Sequence, residues 1–166
     1  VITLIQNKPQ TPRDILMSRV SIIKPAMSHR EMPYYEAKIP AGFASPATEY
    51  LGDTLDLNDY LIANNTATFF AKVEGDSMIG AGIFEGDLIV IDRSLTPKHN
   101  NIVVAVIDND FTVKRLWLKD KIELRPENPD YQPITLSGEV DMRIWGVVTA
   151  VVRKFWSFGG YTKTMI

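Results

Sequence analysis

From Thr68 onward the chain alternates short apolar runs with polar turns. Six runs stand out: 68–73, 88–92, 102–108, 111–118, 121–125 and 143–154. They are rich in Val, Ile, Phe and Trp and end at turn residues, which predicts strands. Asp108-Asn109-Asp110 predicts a hairpin turn between two of them, because Asn and Asp tolerate left-handed backbone. Ahead of the strands, Asp56 can cap a short helix running to about Asn64, with Leu57, Tyr60 and Leu61 on one face. Many short strands with one or two short helices predict a mostly β, compact and highly bent domain.

The first 41 residues follow another pattern. Thr11 can cap a helix, Pro12 suits its first position and Asp14 sits three after the cap. Leu16, Val20 and Ile23 follow at helical spacing, and Pro25 would end the helix near Ile23. Pro33 and Pro40 predict extended chain beyond it. Residues 1–41 hold five of the ten prolines and none of the ten glycines, and the first glycine is Gly42. They carry a net charge of +3, against −5 for residues 42–166. This boundary predicts a proline-rich arm, 1–41, joined to a globular domain, 42–154. A simple extended lead-in has the same composition. Residues 155–166 form an aromatic tail that either docks a partner or folds back on the domain.

Composition then narrows the chemistry. The 166 residues contain no cysteine and two histidines, which excludes disulfides, cysteine nucleophiles and cysteine-ligated metals. No metal and no cofactor are expected. The net charge of −2 argues against a large basic nucleic-acid surface. The longest apolar run, Ile102–Ile107, is far short of the roughly 20 residues that cross a bilayer. Val1 to Ile5 lack the pattern of a secretory signal, so no membrane partner and a cytoplasmic location are expected.

Gly75-Asp76-Ser77-Met78 follows directly on an apolar strand. A serine leaving a strand through such a turn can be presented as a nucleophile, although Gly, Asp and Ser also make plain turns. The hydroxyl needs a base. His99 lies in the polar loop 96–101 and reads as a solvated loop histidine. Lys114 lies inside a strand, with Thr112, Leu116 and Leu118 on its face. That face either buries the amine and keeps it neutral, or lets it snorkel from a sheet edge.

Three ordered segments carry a resemblance that bears on these alternatives. Ala41-Gly42-Phe43-Ala44-Ser45-Pro46-Ala47, then 75–79 with 82–92, then Phe111-Thr112-Val113-Lys114-Arg115-Leu116 together resemble the LexA/UmuD family of self-cleaving serine–lysine proteases. The similarity is greatest to its UmuD branch, the accessory subunits of error-prone DNA polymerases. Ser77 and Lys114 lie 37 positions apart, as that family's dyad requires. The likeness continues through Asn128, Tyr131, Pro133-Ile134 and 145–148. It implies that Ser77 is the nucleophile and Lys114 the general base. It places the scissile bond at Ala41–Gly42 and the oxyanion against backbone N–H groups of Ser77 and Asp76. It further implies a homodimer, a RecA–single-stranded DNA filament as coprotease, and a Y-family polymerase as partner in the SOS response to DNA damage. The alternative is a LexA-like or phage-type repressor fragment whose DNA-binding domain lies upstream of Val1.

Overall fold

The computed structural model describes residues 20–23, 29–34, 41, 54–135 and 142–155. The aromatic tail beyond Phe155, the arm's first 19 residues and Gly42 lie outside them. Ten strands appear in chain order: β1 (Val20–Ile23), β2 (Glu31–Pro33), β3 (Thr54–Asp56), β4 (Thr68–Val73), β5 (Leu88–Asp92), β6 (Ile102–Ile107), β7 (Asp110–Leu118), β8 (Ile122–Arg125), β9 (Ile134–Thr135) and β10 (Met142–Val152). One helix, α1 (Leu57–Leu61), and a 3-10 turn (Ile79–Ala81) complete the description. All six sequence-predicted strands are present, with ends shifted by at most two residues.

Eight strands form one antiparallel sheet in the order β1-β4-β5-β10-β6-β7-β8-β9, and β2 pairs with β3 separately. The inner strands are covered on both faces. Along β6, Val104 packs into one cluster with Ala71, Val73, Met78, Ile91 and Val113. Its neighbours Val103, Ala105 and Ile107 pack into a second cluster with Leu116, Leu124 and Val147. Alternate residues of a strand point to opposite faces, so a continuous apolar run feeds two cores. β10 inserts between β5 and β6 and breaks register twice, at Ile144/Gly146 and Val148/Ala150. A β-carbon on Gly146 would lie 2.6 Å from Ile91 Cγ2, so only glycine fits this approach.

The sheet curls strongly. β1 and β7 are five places apart in sheet order, which is about 24 Å for a flat sheet at roughly 4.8 Å per strand. Yet their Cα atoms come within 8 Å. The expected hairpin turn is present: Asp108 and Asn109 take φ of 48° and 72° and link β6 tightly to β7.

Two helix expectations are corrected. The arm helix expected to reach Ile23 fails at its C-terminal end, because 20–23 is strand β1, paired with Val73, Lys72, Ala71 and Phe70 of β4. Its β-branched residues suit a sheet edge better than a lone helix. The part of that expectation before Val20 lies outside the described residues. The second helix does start at Asp56, whose carboxylate accepts the Asn58 N–H at 2.7 Å, but it stops at Leu61 rather than Asn64. Asn64 forms its own turn, its side-chain oxygen accepting from the N–H groups of Thr66 and Ala67. Such a local acceptor competes with helix continuation. Of Leu57, Tyr60 and Leu61, expected on one face of that helix, the first two are exposed and Leu61 is half-buried.

Candidate active site

Ser77 lies on the turn that leaves β4, and Lys114 lies in the middle of β7. Gly75 opens the turn with φ of 84°, a conformation that costs other residues. The curled sheet brings the two together: Lys114 Nζ donates to Ser77 Oγ at 2.8 Å. It also donates to Thr112 Oγ1 at 3.0 Å and to the Val113 carbonyl at 2.9 Å. Three acceptors match the three hydrogens of an ammonium, and one becomes redundant when the amine is neutral.

Ser77 is 0% and Lys114 2% exposed. The Lys114 stem stands opposite Val103 and shares its face of β7 with Leu116, both members of the second core. Among the described residues no carboxylate pairs with the amine. Burial without a counter-charge disfavours the ammonium and lowers its pKa from 10.5 to about 8. Of the two alternatives in the sequence, the structure therefore has the buried amine, not the snorkelling one. Leu118, expected on the same face, is exposed at the strand end.

A second loop, 126–131, braces the serine turn. The Glu127 N–H donates to the Ser77 carbonyl at 2.8 Å, and the Gly80 N–H donates to the Glu127 carbonyl at 2.7 Å. Asn128, itself buried, donates from Nδ2 to the Asp76 carbonyl at 3.2 Å. Tyr131 OH donates to the Asp76 carboxylate, and that bond raises the tyrosine pKa. These contacts turn the Asp76 side chain toward Asn128 and Tyr131. Arg115, beside Lys114 in sequence, is ion-paired with Glu127 and ties the brace back to β7. On the other side of the turn Arg153 grips Asp87 with two bonds, at 2.6 and 2.5 Å, and reaches the Gly82 carbonyl. That pairing holds the Asp87 carboxyl below the usual range.

The sequence reading gave Asn128 and Tyr131 no role beyond their part in the resemblance, and it missed Glu127 and Gly80. Asn-Pro at 128–129 signals a turn, but nothing local says which loop that turn meets. Gly80 has a demanding place: a β-carbon there would lie 2.4 Å from the Glu127 carbonyl oxygen. Gly80→Ala is expected to force the two loops apart and cost about 1–3 kcal/mol of stability. Urea unfolding of the variant checks this, and an unchanged midpoint contradicts the contact.

The other candidates are placed as follows. His99 is half-buried, packs edge-on against Trp117 at 4.6 Å and accepts the Leu118 N–H at 3.1 Å. It secures the end of β7 through these contacts, neither of which is to Ser77 or Lys114. Ala41 is exposed, and Gly42 lies outside the described residues. Among the described residues His29, Asp56 and Asp59 form the one group with the donors to hold a metal ion. Two of the three are exposed, and Asp56 already accepts N–H groups of Arg30 and Asn58. No helix among the described residues is long and apolar enough to cross a membrane.

Comparison with known proteins gives an independent view. Residues 33–149 match the family model described as Peptidase S24-like. The chain is 48% identical over 122 residues to Protein SamA of Salmonella typhimurium, covering 74% of this chain and 85% of the relative. It is 44% identical over 119 residues to Protein MucA of Escherichia coli, covering 71% and 82%. The LexA repressor of Clostridium novyi is 36% identical over 153 residues, 92% of this chain and 73% of the relative. The matched span contains both Ser77 and Lys114, and with it the whole β sheet from β4 through most of β10. On that match, and on a β fold that the resemblance anticipated, the chain belongs to the Peptidase S24-like family of LexA- and UmuD-type proteins.

Proposed function

We propose that this chain is a serine peptidase that cuts itself between Ala41 and Gly42. The observation that carries the reading is the buried 2.8 Å contact between Lys114 Nζ and Ser77 Oγ. A neutral Lys114 takes the Ser77 proton as Oγ attacks the Ala41 carbonyl carbon, and the C=O electrons move to oxygen. Backbone N–H groups of Ser77 and Asp76 face the oxyanion. The tetrahedral intermediate collapses, the Ala41–Gly42 C–N bond breaks, and Lys114 returns the proton to the Gly42 nitrogen. Water then hydrolyses the ester between Ala41 and Ser77, with Lys114 again as base. Small residues flank the bond, which lets Oγ approach to about 3 Å.

The pH dependence tests this. With the Lys114 pKa near 8, roughly one amine in ten is neutral at pH 7. The cleavage rate is expected to rise about tenfold per unit below pH 8 and to level off above it. Intact-mass measurement of the full chain incubated from pH 6 to pH 10 reads both the rate and the cut position. A flat profile, or scission elsewhere, sinks the reading.

The wider role rests on the resemblance and on the SamA and MucA relatives. In this reading a RecA filament on single-stranded DNA promotes the cut. The 42–166 product, as a homodimer in the cytoplasm, then serves a Y-family polymerase in translesion synthesis. A pull-down with that polymerase subunit is expected to retain the 42–166 product more strongly than the uncut chain; equal failure of both forms counts against the role. The match to LexA over 92% of this chain supports a second reading, a self-cleaving repressor. A helix-turn-helix coding segment directly upstream favours it, and a downstream Y-family polymerase gene favours the first.

A further inference from the structure

The arm contributes a strand to the sheet. β1 pairs with β4, and Ile22, opposite Ala71, packs on the cluster that contains Ala71, Val73, Met78 and Val113. Val73 exchanges bonds with Asp87 and Gly86, so its main-chain groups face the β5 side. Strand alternation therefore turns the N–H and C=O groups of Phe70 and Lys72 toward β1. Because β1 also comes within 8 Å of β7, it fills the seam between the strand leading to Ser77 and the strand carrying Lys114. Among the described residues no other strand pairs with that edge of β4. A second anchor follows: Asp56 accepts the Arg30 N–H at 2.7 Å and meets His29 Nδ1 at 3.1 Å, beside the β2–β3 pairing.

All of these arm contacts come from residues before Ala41. In the uncut chain the covalent link keeps the arm at an effective concentration in the mM range. Without it, four paired strand residues and a short exposed ribbon bind weakly at μM protein. This step rests on the self-cleavage reading: scission after Ala41 removes the link, and the seam opens. Phe70 and Lys72 then present unpaired main-chain groups beside an apolar patch, the condition in which sheet edges accept added strands.

We propose that the seam between β4 and β7 is a strand-acceptor site that the arm fills in the uncut chain. After the cut it takes an extended segment of a partner protein with a β-branched aliphatic residue in the place of Ile22. The chemistry of the occupant is read from Val20-Ser21-Ile22-Ile23, which is seated there now. Cleavage thereby exchanges an internal strand for an external one.

The test avoids dependence on self-cleavage. A full-length Ser77→Ala chain carries an added protease recognition sequence within 43–50 and is nicked by that protease. Gel filtration then reads whether the arm leaves. The probe is a fluorescein-labelled peptide of residues 17–26, followed by anisotropy. The nicked chain is expected to lose its arm and to bind the peptide saturably, at least roughly tenfold tighter than the un-nicked chain. An Ile22→Asp peptide is expected to lose about tenfold or more in affinity. Lys72→Pro in the protein is expected to do the same, since it deletes an N–H facing the seam and spares the β4–β5 ladder. An arm that co-elutes after nicking, equal peptide binding by both forms, indifference to both substitutions, or self-association that shuts the peptide out overturns the proposal. Failure of the wild-type chain to cut itself bears on the function alone, because the nick here is made by an added enzyme.

Discussion

Ser77→Ala is expected to end the proposed scission at Ala41–Gly42, and Lys114→Ala to do the same, while the β domain persists. Each substitution removes one half of the proposed nucleophile–base pair. Without Oγ no atom attacks the carbonyl; without Nζ the hydroxyl keeps its proton and is a poor nucleophile at neutral pH. Losses of about 10⁴-fold or more are expected for either change, and the double variant is expected to be hardly worse than the singles, because the pair acts as a unit. The fold survives because Ser77→Ala removes one oxygen from a turn that Glu127 and Asn128 still hold through the main chain. Intact-mass measurement after long incubation at pH 9 to 10 checks the loss, with far-UV circular dichroism as the control for folding. Cutting at wild-type rate in either variant disposes of the dyad.

Burial of Lys114 also leaves a mark on stability that needs no catalysis. In the unfolded chain the amine titrates near 10.5; in the fold, desolvation lowers this to about 8. Between those values the unfolded state holds a proton that the folded state has released, so stability rises with pH across that window. The slope is about 1.4 kcal/mol per pH unit, and the whole effect is about 3 kcal/mol. Below pH 8 the folded protein carries this full cost as a buried ammonium. Lys114→Met removes the titration. Urea unfolding of wild type and Lys114→Met from pH 7 to pH 10.5 is expected to show a stability difference that shifts by about 3 kcal/mol in favour of wild type as pH rises. The hydroxyls of Ser77 and Thr112 lose a partner in the variant, but that offset does not depend on pH in this range and leaves the slope intact. Parallel curves would show that the amine is not desolvated.

The strand runs were legible because apolar residues bounded by turn formers leave the chain few other options. So was the tight turn at Asp108-Asn109, where residue type and positive φ agree. The helix cap at Asp56 was legible, but the helix end was not, because Asn64 competes for backbone donors only in a particular turn geometry. The arm was misread at 20–23, since Val20 and Ile23 fit a helical spacing and the neighbouring strand that overrides it lies some fifty positions away.

Ser77 and Lys114 show the same division. Sequence alone determined that Ser77 leaves a strand at a turn and that Lys114 lies within one, and the order and spacing of three segments carried the resemblance that paired them. Whether the amine is buried or solvated was decided by the tertiary structure. β10, the last described strand, inserts between β5 and β6 and joins the half of the sheet that leads to Ser77 to the half that carries Lys114. Curling of that joined sheet brings Nζ to 2.8 Å from Oγ and packs the stem against the second core. Strand order and sheet curvature depend on pairings between distant segments, and local pattern does not encode those. The low pKa follows from that placement, because desolvation is a property of the surroundings and not of the lysine.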